Sequence, residues 1–180
     1  MNFAGLVFML PLSLNITAAI RVGQSVGAGR LGRARLSART ALCMGAVSSL
    51  AIAACTALFR EQIVSIYNDD PAVTALAMSL LLFGACYQLV DALQTISIGI
   101  LRAYNDTRTI SLVCFASYWV IGLPLGFTLA RTDLLVPALG AAGFWIAYIA
   151  ALGFGALCYL TRVHHLHRLD AEAVRRRIQR

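Results

Sequence analysis

The sequence has 180 residues, of which 59% are hydrophobic and only 13% are charged, and its formal net charge is +7. Soluble proteins carry about 25% charged residues, so this composition excludes an ordinary soluble domain and indicates a membrane protein. The sequence contains no phosphate-binding P-loop, no serine-hydrolase elbow and no HExxH motif. We therefore expect no enzymatic activity, no cofactor and no metal site.

Five segments are apolar and long enough to cross a bilayer. A hydrocarbon core of about 30 Å requires about 20 apolar residues in a helix. In chain order, the segments of that length are residues 3–26, 38–59, 72–101, 109–130 and 134–160. The sequence thus predicts an all-α polytopic membrane domain over residues 1–162. Residues 163–180 have the pattern of a basic amphipathic helix that lies on the inner leaflet.

The arginines are distributed unevenly among the loops. The first and third loops and the C-terminal tail contain most of them, whereas the second and fourth loops contain one each. Because basic loops remain in the cytoplasm, we expect the C-terminus in the cytoplasm and the N-terminus outside. The chain enters its first span without the features of a signal peptide, so we also expect it to be a fragment of a longer protein.

The first predicted span contains two polar residues that bear on function. Asn15 could line a cavity or form a hydrogen bond to a neighbouring helix, and the sequence does not distinguish these roles. Apart from Arg39, the second residue of the second predicted span, Arg21 is the only basic residue within the five predicted spans. It lies near the cytoplasmic end of the first span, where its side chain can reach the lipid headgroups.

The third predicted span contains one carboxylate, Asp91, in an otherwise uncharged run. At 3.6 residues per turn, Tyr87 and Thr95 share a face with Asp91, and Gln88 and Gln94 lie beside it. A charged side chain at the bilayer centre costs about 2.5–3.5 kcal/mol on insertion scales. Such a residue therefore needs a compensating interaction.

Three interpretations of Asp91 remain open from the residues alone. The carboxylate could pair with Arg21, or it could be protonated and hydrogen-bonded as a structural group. It could also bind a cation or a proton, because hard cations prefer oxygen ligands and Tyr87, Gln88 and Gln94 provide oxygens nearby. Sodium and protons would compete at such a site.

The fourth and fifth predicted spans contain helix breakers and aromatic residues. Pro124 removes a backbone hydrogen bond and is flanked by Gly122 and Gly126. Aromatic side chains could form a wall for flat organic cations or an ordinary interfacial belt. These aromatic residues are Tyr118, Trp119, Trp145 and Tyr148.

Four blocks follow one another along the sequence: MLPLSLNITAAIRVGQSVGAGR (9–30), YNDDPAV (67–73), YQLVDALQTISIGILRAYNDT (87–107) and YWVIGLPLGFTLA (118–130). In their order and spacing these blocks resemble the multidrug and toxic compound extrusion (MATE) family, most closely its bacterial cation-coupled subgroup. The resemblance implies a twelve-helix fold of two lobes around a central cavity. The five predicted spans would be helices eight to twelve, that is, part of the C-terminal lobe.

The resemblance also implies a function and a location. Asp91 aligns with an aspartate implicated in cation binding, and Tyr87 matches a tyrosine near that site. The expected activity is antiport of drugs or other organic cations against sodium or protons across a bacterial inner membrane. The missing N-terminal lobe or a second copy would be the partner, and possible cavity-lining residues are Asn15, Gln88, Gln94 and Thr95.

Two other functions compete with this interpretation. The chain could be a non-transporting remnant or a membrane scaffold subunit. It could also be a lipid-linked oligosaccharide flippase of the same superfamily. A flippase for large anionic substrates would need several intramembrane arginines, and apart from Arg39 at the edge of the second span the predicted spans contain only Arg21.

Overall fold

A computed structural model describes residues 3–65, 71–131, 141–169 and 174, and the described part of the chain is helical apart from short turns. Seven α-helices and one π-helical segment follow one another. They are α1 (Phe3–Gly27), α2 (Leu31–Leu58), α3 (Arg60–Ser65), α4 (Pro71–Ala103), α5 (Thr107–Phe115), the π-helical segment (Ala116–Gly122), α6 (Leu123–Arg131) and α7 (Ala141–Arg168).

The prediction of five membrane spans is confirmed. In the part of the chain that the structure describes, five stretches of helix are long and apolar enough to cross a membrane: Gly5–Gly27, Leu31–Leu58, Leu81–Ala103, Thr107–Ala130 and Ala142–Arg168. The fourth consists of α5, the π-helical segment and α6 in continuous succession. Asp69 and Asp70 of the predicted second loop, and residues 132–140, which include the start of the predicted fifth span, lie outside the described residues.

The second span begins earlier than the predicted residue 38, because α2 already starts at Leu31. Only a tight turn separates it from α1. Gly29 has a positive φ of 70°, which glycine adopts without steric cost, and the Arg30 amide donates to the Ser25 carbonyl at 2.8 Å. As a result Arg33 and Arg35, which precede the predicted span, lie with Arg39 on the first turns of α2.

The fifth span ends later than the predicted residue 160, because α7 continues to Arg168. The start of the predicted tail is therefore part of this helix. Val163 and Leu166 are 3% and 2% exposed and belong to the same hydrophobic core as Tyr104 and Val174. These two residues at the start of the predicted tail are therefore buried within the bundle.

The fourth span departs from regular α-helix over Ala116–Gly122. At its end the Leu123 amide donates to the Tyr118 carbonyl five residues earlier, which is the π-helical pattern. Pro124 has no amide hydrogen and disrupts the α-helical pattern of the preceding turn. The sequence predicted a break at Pro124, and the structure shows a widened turn that immediately precedes it.

Small residues hold the bundle together. Helix α4 packs against α1, α2 and α7, and the buried face of α2 consists of Ala34, Ala38, Ala41, Gly45, Ser49 and Thr56. Because lipid provides no hydrophobic driving force between helices, close approach of backbones through small residues is the main source of packing energy. The outer faces of the helices carry large exposed apolar side chains such as Leu12, Val47 and Leu157.

The more basic end of the bundle is closed by a hydrophobic cluster. We define the basic end as the turn at residues 28–30, the turn at residues 104–106 and the C-terminal part of α7. The fully buried side chains at the basic end and in the adjoining turns of the helices include Val22, Ile100, Leu101 and Tyr159. Access to the centre of α4 from the basic end is therefore blocked by apolar side chains.

Candidate cation site around Asp91

Asp91 lies near the middle of the third span, on the face of α4 that points into the bundle. Its side chain is only 9% exposed. Helix α4 is the element that packs against α1, α2 and α7, so a residue on its inner face has no access to the lipid headgroups. The structure thus confirms that this carboxyl group lies in the interior of the described bundle.

The closest partner of Asp91 is Tyr87, one turn earlier on the same helix. The two side chains are hydrogen-bonded, and Tyr87 is also hydrogen-bonded to Tyr148 of α7. A tyrosine hydroxyl has one proton to give. Tyr87 can therefore donate to only one of these two neighbours at a time. The arrangement is a short relay of hydroxyl groups that ends on the carboxylate.

Aromatic rings surround this relay. Tyr87 stacks on Tyr148 with ring centroids 5.6 Å apart and meets the edge of Trp145 at 6.3 Å. Tyr118 of the π-helical segment lies 6.3 Å from Tyr148. Three of the four aromatic residues predicted as a wall therefore come together beside Asp91. The fourth, Trp119, is 64% exposed on the outer surface, near the middle of the fourth span.

The two glutamines of the predicted polar stripe both have buried oxygens that lack a partner. Within the described residues, no donor reaches Oε1 of Gln88 or Oε1 of Gln94. Gln94 is hydrogen-bonded to the hydroxyl of Tyr118, which accepts from the amide of Gln94. Unpaired carbonyl oxygens near a buried carboxylate are the kind of groups that bind hard cations or water.

Asn15 and Thr95 join two helices. The side-chain amide of Asn15, which is 6% exposed, donates to the backbone carbonyl of Thr95. The backbone of Asn15 also packs directly on Gly99, where a β-carbon would collide with the Asn15 carbonyl. Of the two roles open from the sequence, the structure shows the hydrogen bond from α1 to α4.

Arg21 does not pair with Asp91. Its side chain is exposed. Two residues further along α1, a β-carbon at Gly23 would lie 3.8 Å from the β-carbon of Ala103. This part of α1 therefore faces the C-terminal end of α4 and not Asp91. The described residues contain a single ion pair, between Arg162 and Asp106, and neither Arg21 nor Asp91 takes part in it. Of the three interpretations of Asp91, the ion pair with Arg21 is therefore wrong.

Sequence reasoning did not identify two polar residues with buried roles. Ser117 is fully buried at the start of the π-helical segment, next to Gln94. Asp106 is 4% exposed and binds Arg162. Asp106 directly precedes α5, and aspartate is common at that position of a helix N-terminus. The sequence next to Asp106 could therefore have indicated a structural role for it. Ser117 had none, because nothing in the sequence specifies a π-helix.

Comparison with known proteins decides the family. The MatE family profile matches residues 1–128, well over half of the chain. The chain belongs to the MatE family. The predicted resemblance is thereby confirmed, and membership of this family of membrane proteins agrees with the expectation that the chain is not an enzyme.

Two curated relatives in the MatE family are similar over the whole chain. A protein named multidrug resistance protein MdtK of Pectobacterium atrosepticum is 44% identical over 184 residues. The MdtK protein of Proteus mirabilis is 48% identical over 184 residues. The alignment covers 100% of this chain and 39% of each relative. The chain thus spans well under half the length of the MatE relatives that it matches.

A solved structure supports the fold. The crystal structure of the eukaryotic MATE transporter AtDTX14 superposes with a TM-score of 0.84 at 22% identity, and the match covers 97% of this chain and 38% of that one. The predicted fold class, an all-α polytopic domain equivalent to part of a larger MatE fold, is confirmed by the five spans and this partial coverage.

Proposed function

We propose that this chain provides part of the C-terminal lobe of a secondary active transporter, an antiporter that exchanges drugs or other organic cations for sodium or protons. The site of the coupling ion would contain Asp91 and Tyr87. Gln88 and Gln94 would line the adjacent cavity. No further cofactor would be needed, because the energy comes from the ion gradient.

The burial of Asp91 without a basic partner is the observation that carries this proposal. Its nearest partner is the neutral hydroxyl of Tyr87, and Arg21 is exposed elsewhere. An isolated carboxylate in a low-dielectric interior is very costly. Binding of a proton or of a metal cation removes that cost, so the charge at Asp91 would depend on the ion supplied by the membrane gradient.

The aromatic side chains around Asp91 support organic cations as the exchanged substrates. Tyr87 contacts both Trp145 and Tyr148, and aromatic faces attract cations, with Trp the strongest of them. Electrostatic attraction to Asp91 would add to this. A flippase for anionic lipids would instead require arginines at this cavity, and the exposed Arg21 does not provide one.

The names of the relatives agree with this assignment. Both proteins are called multidrug resistance proteins and come from bacteria. We therefore place the chain in a bacterial inner membrane, with the basic end of the bundle in the cytoplasm and the N-terminus outside. In this arrangement the hydrophobic cluster at Ile100 and Tyr159 closes the cytoplasmic side.

The partner of this chain would be the remainder of a two-lobe transporter. The chain aligns with 39% of its curated relatives, so the other lobe of the cavity must come from other residues. Ion binding at Asp91 can drive transport only when the ion binds the outward-facing and inward-facing states with different affinity.

A chimera tests the proposed function. The segment of the Proteus mirabilis relative that aligns with this chain is replaced by residues 1–180, and efflux of a fluorescent organic cation is followed in everted membrane vesicles. We expect efflux that requires a sodium or proton gradient, and none when the aligned segment is deleted. A chimera that inserts into the membrane normally but transports nothing would favour a scaffold or a remnant instead.

A further inference from the structure

A second polar cluster lies one helical turn from Asp91, toward the basic end of the bundle. It is formed where α4 meets the π-helical segment and α7. Gln94 of α4 is 4% exposed, and Ser117 of the π-helical segment is completely buried. Both side chains lie beside Gly155 of α7. We call Gln94, Ser117 and Gly155 the inner polar pocket.

Two polar atoms in the inner polar pocket lack hydrogen-bond partners among the described residues. They are Oε1 of Gln94 and Oγ of Ser117. A buried polar group without a partner costs about 1–3 kcal/mol, and nearly all such groups in native proteins are paired with protein or with ordered water. Two unpaired atoms on side chains that both reach Gly155 therefore point to a shared ligand.

Gly155 brings the two side chains to the same point of the α7 backbone. A β-carbon at Gly155 would lie 3.0 Å from Oγ of Ser117 and 3.1 Å from Nε2 of Gln94. Each distance is shorter than an ordinary carbon contact. Only glycine therefore leaves the two polar side chains in their places, and the space between them is small.

The chemistry of the pocket fits one water molecule. Oε1 of Gln94 can only accept a hydrogen bond, whereas the hydroxyl of Ser117 can donate one. Neither residue carries charge, and a bare cation would need more oxygen ligands than these two. We propose that one ordered water molecule occupies the inner polar pocket, where it donates to Oε1 of Gln94 and accepts from the hydroxyl of Ser117.

This water would connect the π-helical segment to the network around Asp91. The amide of Gln94 donates to Tyr118, whose hydroxyl lies within electrostatic range of Asp91. Tyr118 also packs against Tyr148, the residue that binds Tyr87. A change of charge at Asp91 would therefore alter the hydrogen bonds of the water. Occupancy of the pocket does not depend on the proposed transport function, whereas this response does.

Infrared difference spectroscopy tests the proposal on the purified chain in lipid nanodiscs. A buried water has a sharp O–H stretching band, separate from that of bulk water, and the band shifts when ordinary water is exchanged for heavy-oxygen water. We expect this band in the wild-type chain and its loss in Ser117→Ala and in Gln94→Leu. The matched control is Ser111→Ala, because Ser111 is exposed and its hydroxyl bonds only to the Thr107 carbonyl at 3.2 Å.

The outcomes separate the possibilities. If the wild-type chain shows no isotope-sensitive band, the proposal is overturned. It is also overturned if the band persists in both Ser117→Ala and Gln94→Leu. Gly155→Ala is the second variant if either of those fails to fold, and its added methyl group should also remove the band. Circular dichroism verifies the helix content of each variant. A band that is identical in Asp91→Asn overturns the connection to Asp91.

Discussion

The carboxylate of Asp106 lies 2.7 Å from Nε of Arg162, although the two residues are 56 positions apart in the sequence. Asp106 is in the turn between α4 and α5, and Arg162 is near the end of α7. The same carboxylate accepts a hydrogen bond from the hydroxyl of Thr109 at 2.8 Å. This pair ties the turn before α5 to the fifth span at the basic end of the bundle.

Asp106→Ala should lower the free energy of unfolding by about 2–3 kcal/mol, because it leaves Arg162 without its charged acceptor. Arg162 is 27% exposed and can recover some hydration, so the loss should stay below that of a fully buried pair. The measurement is denaturant unfolding in mixed micelles, followed by circular dichroism.

Thr109→Val provides the comparison for Asp106→Ala. It removes one hydrogen bond to the same carboxylate and leaves the ion pair intact, so the expected loss is about 1 kcal/mol. If the two variants lost equal stability, the ion pair would contribute nothing beyond that hydrogen bond.

Gly143→Ala should destabilise the bundle by about 1–3 kcal/mol through overpacking. A β-carbon at Gly143 would lie 2.7 Å from the carbonyl carbon and oxygen of Leu129 and 2.9 Å from the amide nitrogen of Ala130. These are backbone atoms of α6 and cannot move aside without separating α6 from α7. Thermal unfolding of the variant in detergent reports the loss.

Gly153→Ala on the same helix is the matched control for Gly143→Ala. Nothing lies within 4 Å of a β-carbon at Gly153, so alanine should stabilise α7 slightly, by up to about 1 kcal/mol, through its helix propensity. Equal destabilisation by both substitutions would contradict the close packing of α6 on α7.

The helices themselves could be predicted from the sequence, because length and apolar composition decide whether a segment spans a membrane. Helix ends were less predictable. The arginines after Gly29 interrupt the apolar run, yet they continue helix α2 because nothing in them breaks a helix. Val163 and Leu166 look like one face of a surface helix, and only the position of Tyr104 in space shows that this face is buried.

Only the part of the candidate site that lies on a single helix could be predicted from the sequence. Asp91 and Tyr87 lie on one helix, so their spacing alone indicated that they would meet. The partners from other helices depend on packing and on the π-helical segment. Periodicity does not indicate that Tyr148 reaches Tyr87, that Trp119 turns outward, or that Ser117 lies beside Gln94.

Tyr87→Phe should weaken the proposed coupling-ion site by about tenfold in affinity, because it removes the hydroxyl that donates to Asp91. Tyr148→Phe should have a smaller effect, since the hydroxyl of Tyr148 is hydrogen-bonded to Tyr87 and not to Asp91. The measurement is the sodium or proton concentration that gives half-maximal efflux in the chimera. A larger effect from Tyr148→Phe would contradict the order of the relay.

The central claim is that the charge of Asp91 couples the ion gradient to transport, and Asp91→Asn in the chimera tests it most directly. Asparagine keeps the size of the side chain but cannot be ionised. We expect gradient-driven efflux of the organic cation to be abolished, while Glu61→Gln, which neutralises an exposed carboxylate of α3, leaves efflux unchanged. Gradient-driven efflux at the wild-type rate in Asp91→Asn would contradict the account.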